Sequence, residues 1–233
     1  MTRPMDAADF DWAAELMEKR RARYALFSPV FWRPAVGVTQ PHASFMRATA
    51  AQEGAVALRT DHGFLLSFPQ AGRRFVDDFA VDDDIRWPTD GRALLLAATR
   101  PATASSVRVV TARLDHPKAS MLADAGLVVG ARWWVNELRP TGTATSWGPV
   151  KLGEVDALII PAPPVFDPGG PVCLLGDLPA DQAADASDAA ASLGAVLAIV
   201  QRDGGPDSVP ATEPDLEAAG FQNPSEFWDG IPH

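Results

Sequence analysis

Two stretches of this chain, far apart, repeat one another. Leu122-Ala-Asp-Ala-Gly126-Leu127-Val-Val-Gly-Ala-Arg-Trp133-Trp134 aligns with Leu216-Glu-Ala-Ala-Gly220-Phe221-Gln-Asn-Pro-Ser-Glu-Phe227-Trp228, with four positions identical and Leu/Phe and Trp/Phe pairs keeping their character. In each copy a helical pattern stops at a glycine able to take positive φ, and the chain then enters an aromatic strand. A chain that does this twice is constrained to two related units.

The order upstream of each copy supports the same reading. Trp12, Leu16, Met17, Tyr24 and Leu26 recur at three- and four-residue steps and predict an amphipathic helix over 8–26, ending before Ser28-Pro29. A second helix is expected over 40–52. Two apolar runs, 54–60 and 63–68, flank Asp61-His62-Gly63 and read as a hairpin, with His62 as a turn residue. A strand at 75–81, helix at 89–99, strand at 107–112, helix at 116–125 and strand at 132–138 follow. After the polar junction Arg139-Pro140-Thr-Gly-Thr a similar order resumes: strands near 149–160 and 172–176, helix 181–193, strand 195–200, helix 212–219 and a final strand-like segment 221–229. Helices alternating with strands imply an α+β protein with a sheet covered by helices. The boundaries expected are 1–140 for the first unit and 141–233 for a shorter second one, with the two sheets packed as related halves and Trp134 and Trp228 in corresponding strands.

Charge separates the units. Of 20 Lys and Arg, 18 precede residue 141, against 16 of 30 Asp and Glu, so the segments carry +2 and −12. Nucleic-acid binding is not expected, because it needs a basic face to replace counterions at phosphates. The basic cluster Lys19-Arg20-Arg21-Ala22-Arg23 reads as the solvated face of the first helix. No apolar run is long enough to span a bilayer, and acids stand in the amino-terminal segment where a signal peptide would be apolar, so a soluble cytoplasmic protein is expected. The single cysteine, Cys173, lies in an apolar run and reads as a buried strand residue; no disulfide and no cysteine metal cluster follow, and no metal site is expected.

The element order and the Gly-aromatic motif together resemble the GNAT superfamily of acyl-CoA N-acyltransferases, over most of 8–138 and in degraded form over 149–230. The resemblance implies a GNAT-like mixed sheet flanked by helices, present as two unequal tandem halves. It implies acetyl-CoA or another acyl-CoA as co-substrate and a small-molecule or peptide amine as acceptor, with the acyl-CoA site in the first half. The family's phosphate-binding loop matches Pro88-Thr89-Asp90-Gly91-Arg92-Ala93, where backbone N–H groups at a helix start would hold the phosphates. Pro88 stands at the family's Gln/Arg position, and Asp90 adds a charge of the wrong sign. The strand end that lends main-chain bonds to the pantetheine arm matches Phe79, Ala80 and Val81. A pocket is expected between these residues and the strand from Val107, opening beside Gly91. The corresponding second loop, Asp177 to Asp188, has no glycine and four acids, so no equivalent pocket is expected beside Asp181.

The family's tyrosine acid is replaced by Leu122 and Leu216, and the one tyrosine, Tyr24, is expected far away on the first helix. Asp78 and His116 are the candidates for general base, a task needing a carboxylate or imidazole near the amine. Three readings stay open: an N-acyltransferase working through its first half, a catalytically inactive GNAT-fold binding or scaffold protein, and a structural pseudodimer unit that assembles with other subunits.

Overall fold

Strands from both units join one sheet. The computed structural model describes residues 1–99, 106–143, 147–176, 178–203 and 213–233. Asp177 and Thr212, expected in a loop and at a helix start, lie outside them. The first unit contains β1 (Arg3–Pro4), α1 (Asp9–Tyr24), α2 (Thr39–Ala50), β2 (Val56–Arg59), β3 (Gly63–Gln70) and β4 (Arg73–Val81). A 3-10 turn (Asp84–Arg86) and a π turn (Trp87–Gly91) then lead into α3 (Arg92–Thr99), β5 (Val107–Ala112), α4 (His116–Asp124) and β6 (Val128–Glu137). The second unit contains β7 (Gly148–Leu152), β8 (Val155–Ile160), β9 (Val172–Leu175), α5 (Ala183–Ser192), β10 (Leu197–Asp203), α6 (Glu213–Ala218) and β11 (Gln222–Gly230).

The sheet has 11 strands in the order β1-β2-β3-β4-β5-β11-β6-β10-β9-β8-β7. Outward from the central β6/β11 pair, β5-β4-β3-β2 on one side answers β10-β9-β8-β7 on the other. The strand directions agree as well: β4 and β5 are parallel, as are β9 and β10, while β11 pairs antiparallel with β5 and β6 with β10. The expectation of two packed sheets is therefore corrected. Each unit sends its last strand into the other, so that β11 completes the first unit and β6 the second.

The repeated motif sits at this exchange. Gly126 and Gly220 take φ of +86° and +87° at equivalent helix ends, where a side chain would strain the backbone. Trp134 and Trp228 then fall on β6 and β11. Trp134 is buried among Ala183, Ala186, Leu216 and Phe221 of the second unit, whereas Trp228 packs on the first unit's core with Val107, Val109 and Leu122.

Strand alternation sends β3 side chains to two cores. Leu65 joins Phe79, Leu94 and Leu122 beneath α3 and α4, whereas Phe64 and Leu66 join Ala13, Met17, Ala43 and Met46 beneath α1 and α2. The second unit has α5 and α6 on one core. Its other core includes Val172, Leu197 and Ile199 and is covered by Phe31 and Trp32, from the segment that follows α1. The halves are unequal for this reason: the first has two more helices, and the connection between them helps close the second.

Candidate active site at the divergence of β4 and β5

In β4, Ser67 pairs with Val76 but Leu66 pairs with Asp78, so Asp77 is an extra residue, a β-bulge. The bulge shifts the alternation: Val76 and Phe79, three apart, share the core under α3 and α4. It also ends the partnership with β5. The two strands pair only at Arg74/Val107, Phe75/Arg108 and Val76/Val109, and beyond these the ladder is open.

Side chains converge on this gap. Lys118, in the first turn of α4, is 3% exposed. Its Nζ donates to the Val110 carbonyl at 2.8 Å and the Phe79 carbonyl at 3.4 Å, one from each diverging strand. The Phe79 and Trp87 rings meet edge to face at 4.9 Å, and the same Nζ lies 5.3 and 5.6 Å from their centroids. Beside them, Asp115 Oδ2 accepts hydrogen bonds from the Tyr24 hydroxyl at 2.7 Å and from Arg20 Nε at 3.1 Å and Nη2. Arg20 also donates to Asp84 at 2.8 Å. Two buried polar atoms here have no partner: Asp115 Oδ1 and Trp87 Nε1.

A second buried group lies under α1 and α2. Asp78 Oδ2 is 2.9 Å from His42 Nε2, and Asp78 Oδ1 accepts from Arg21 at 3.3 Å. Arg21 in turn has nitrogens 3.1 and 3.0 Å from the two ring nitrogens of His42.

Burial and charge oppose one another across the site. Burial pushes Lys118 from 10.5 down to about 7, outweighing Asp115, whose charge favours the ammonium. Burial and the neighbouring Asp78 push Asp77 up. Burial would also raise Asp78, but the hydrogen bond and charge of His42, with Arg21 and Lys118, hold it below the usual range. Between about pH 7 and 10.5 the unfolded chain carries a proton on Lys118 that the native protein has lost, so stability rises with pH there, by at most about 1.4 kcal/mol per unit. Asp77 acts in the opposite sense at lower pH, because the native state keeps a proton the unfolded chain has released. Urea unfolding at pH 7.5 and 9.5 should show the rising limb in the native sequence, and Lys118→Met should flatten it.

The residues singled out by sequence are distributed unevenly around this centre. Asp78 is 3% exposed and held by Arg21 and His42, while His116 is exposed. Phe79, Ala80 and Val81 are all buried, and only the Phe79 carbonyl is committed to Lys118. Thr89 is exposed, with its hydroxyl donating to the Arg86 carbonyl and to Asp90. Arg92 donates to the main-chain oxygen of His233, and Ala93 is exposed. Gly91 is buried for a reason unlike the one expected: a Cβ there would stand 2.6 Å from Trp87 Cε3, so the glycine admits an indole. Trp87 thus lies between Gly91 and Lys118, whose Nζ is 5.6 Å from the centre of its ring. An open surface hollow of about 530 Å³ lies beside Asp181, lined also by Ala184, Asp215, Ala218 and Ala219.

Several residues of the site went unread. Arg20 and Arg21 are 6% and 4% exposed, not solvated, and Tyr24 is at the centre rather than far away. Their signal was positional: Ala13, Ala14, Met17, Arg20, Arg21 and Tyr24 form one helical stripe, and the stripe is the buried face. Among the described residues no helix is long and apolar enough to cross a membrane, and no cluster of metal-ligating side chains occurs.

No family model matches the sequence, and no curated protein matches it. Solved structures do resemble the fold. A GCN5-related N-acetyltransferase from Sphaerobacter thermophilus, 9% identical, superposes with a TM-score of 0.62 over 99% of this chain and 95% of that one. A putative acetyltransferase from Pyrococcus horikoshii, 12% identical, gives 0.50 over 100% and 89%. The chain has the fold of the GNAT superfamily, an α+β mixed sheet flanked by helices.

Proposed function

We propose that this GNAT-fold protein is an acyl-CoA-dependent N-acyltransferase whose first half carries the site, at the divergence of β4 and β5. One observation carries the reading: beyond the Asp77 bulge the two strands part, and the gap holds main-chain acceptors from both together with two buried polar atoms left without partners. Unpaired buried polar atoms are few in native structures, and a ligand in the gap would give these two their partners. The group bonded to both parting strands is one long side chain, Lys118. Lys118 has only to give up its two hydrogen bonds to the strands, and its Nζ can do so while staying against the Phe79 and Trp87 rings. With Lys118 withdrawn, the Phe79 and Val110 carbonyls become acceptors for the amide groups of a pantetheine arm. At the other end, Arg92 and Arg86 supply positive charge beside the start of α3. Acyl-CoA supplies the activated acyl group when bound, and Asp78, tied to His42, is the carboxylate nearest the gap on the α1/α2 side that stays ionised.

The noncatalytic reading is favoured by a different observation: Trp87, Lys118 and the Arg20–Asp115 pair together fill the divergence. Binding decides between them. At millimolar acetyl-CoA and a Kd near 10 µM, ligand binding to the native state adds about 2.7 kcal/mol and raises Tm by several degrees. Arg92→Glu, a change on the partly exposed start of α3, should weaken that binding roughly tenfold. Gly91→Glu would be a poor control, since its side chain collides with Trp87. Thiol release on adding small amines should then identify the acceptor. Absence of binding at millimolar acetyl-CoA would leave the scaffold reading as the better description.

A further inference from the structure

We propose that Lys118 is an acyl acceptor of this protein, its Nζ taking the acyl group of an acyl-CoA thioester to become an Nε-acyl-lysine. The inference rests on the reading that acyl-CoA enters where β4 and β5 diverge.

The chain has three lysines, Lys19, Lys118 and Lys151. Lys19 is exposed, and the Lys151 side chain is 63% exposed in an ion pair with Asp156 at 2.9 Å. Lys118 alone is inside the divergence, bonded to one carbonyl of each parting strand. An arm bound to those carbonyls would displace its Nζ by the length of one contact, leaving the amine beside the incoming group. Effective concentrations at such distances far exceed those of any amine in solution.

The surroundings suit an amine nucleophile. The Phe79 and Trp87 rings wall the Nζ, excluding water that would otherwise hydrolyse a thioester. Burial lowers its affinity for a proton, so near neutral pH a far larger share of Lys118 is the neutral amine than of an exposed lysine. The atoms balance without a further reactant. The neutral Nζ forms a bond to the acyl carbonyl carbon, the C–S bond breaks, and one of the two Nζ protons leaves with the thiol. Amine and thioester give amide and free thiol. An acylated Lys118 would keep a single N–H on Nζ and could donate to only one of the two carbonyls.

The test uses the full chain with acetyl-CoA at pH 7.5, followed by peptide mass spectrometry of the three lysines, with Tm measured on the same sample. One acetyl group on Lys118, accumulating at least about tenfold faster than on Lys19 or Lys151, is the expected result. Unfolding in urea should abolish that preference, and Lys118→Arg should accept nothing at the position while keeping hydrogen-bond donors there. An acetyl-CoA-dependent rise in Tm with Lys118 unmodified would overturn the inference and leave the proposed function standing. Neither a rise in Tm nor modification would overturn both. Equal modification of all three lysines, or a Lys118 preference that survives urea, would reduce the effect to solution chemistry and refute the proposal.

Discussion

Residues 1–140, expressed without the rest of the chain, will fail to form a stable monomer. The reason is the strand exchange. Beside β5 the sheet continues with β11, from the far end of the sequence, and β6 lies between β11 and β10, both from the second unit. Cutting at residue 140 therefore opens one edge of β5 and both edges of β6, and removes the core in which Trp134 is buried. Unpaired strand edges next to exposed apolar surface invite association with other chains. The lost pairing and burial together exceed the total stability of a domain this size, about 5–15 kcal/mol. Circular dichroism and size-exclusion chromatography should show an unfolded or self-associated fragment, and residues 141–233 supplied separately should restore a one-to-one complex. A monomeric fragment unfolding cooperatively would sink the prediction, and with it the claim that the halves complete one another.

Most elements could be read from the sequence because each has a local cause. The glycine stops at 126 and 220 needed only the backbone freedom of that residue, and the tryptophans after them fell on the strands expected. Pairing between strands has no local cause. Two last strands of similar composition fit either position beside β5 or β10, so nothing in the periodicity distinguishes exchange from two closed sheets. The site was hidden by a different rule. Arginine and lysine are almost never fully buried unless paired, so a run such as Lys19-Arg20-Arg21 reads as surface even though its middle members continue an apolar stripe. The partners that make burial tolerable, Asp78, Asp84 and Asp115, are far off in sequence. One signal was available: Asp77 and Asp78 are adjacent acids inside an apolar strand, where alternation would put one of them in a core. The bulge resolves that conflict by turning Asp78 toward Arg21 and His42. At Gly91 the sequence shows a glycine but not its neighbour, the Trp87 ring that leaves no room for a Cβ there.

Replacing Asp115 by alanine should be the most damaging single change in the site, costing about 3–5 kcal/mol. Asp115 is 1% exposed and accepts from both Arg20 and Tyr24 across the sheet gap. Without it, Arg20 remains buried with its charge answered only by Asp84, whose side chain is one-quarter exposed, 25%. The penalty is that of a stranded guanidinium, which a buried pair conceals while both members are present. Asp115→Asn keeps the shape but not the charge and should cost less, about 1–3 kcal/mol, and Tyr24→Phe, which removes one hydrogen bond to a charged acceptor, about 1.5–3. Asp115→Leu combined with Arg20→Met removes both charges and should recover much of the loss, because the pair itself contributes little once its desolvation is counted. Urea midpoints at constant slope give each value. The same set reports on function, since Asp115 precedes the helix turn that carries Lys118. If Asp115→Ala proved as stable as the native protein, the buried pair would not be what holds α4 against α1, and the closed state of the β4–β5 gap would need another cause.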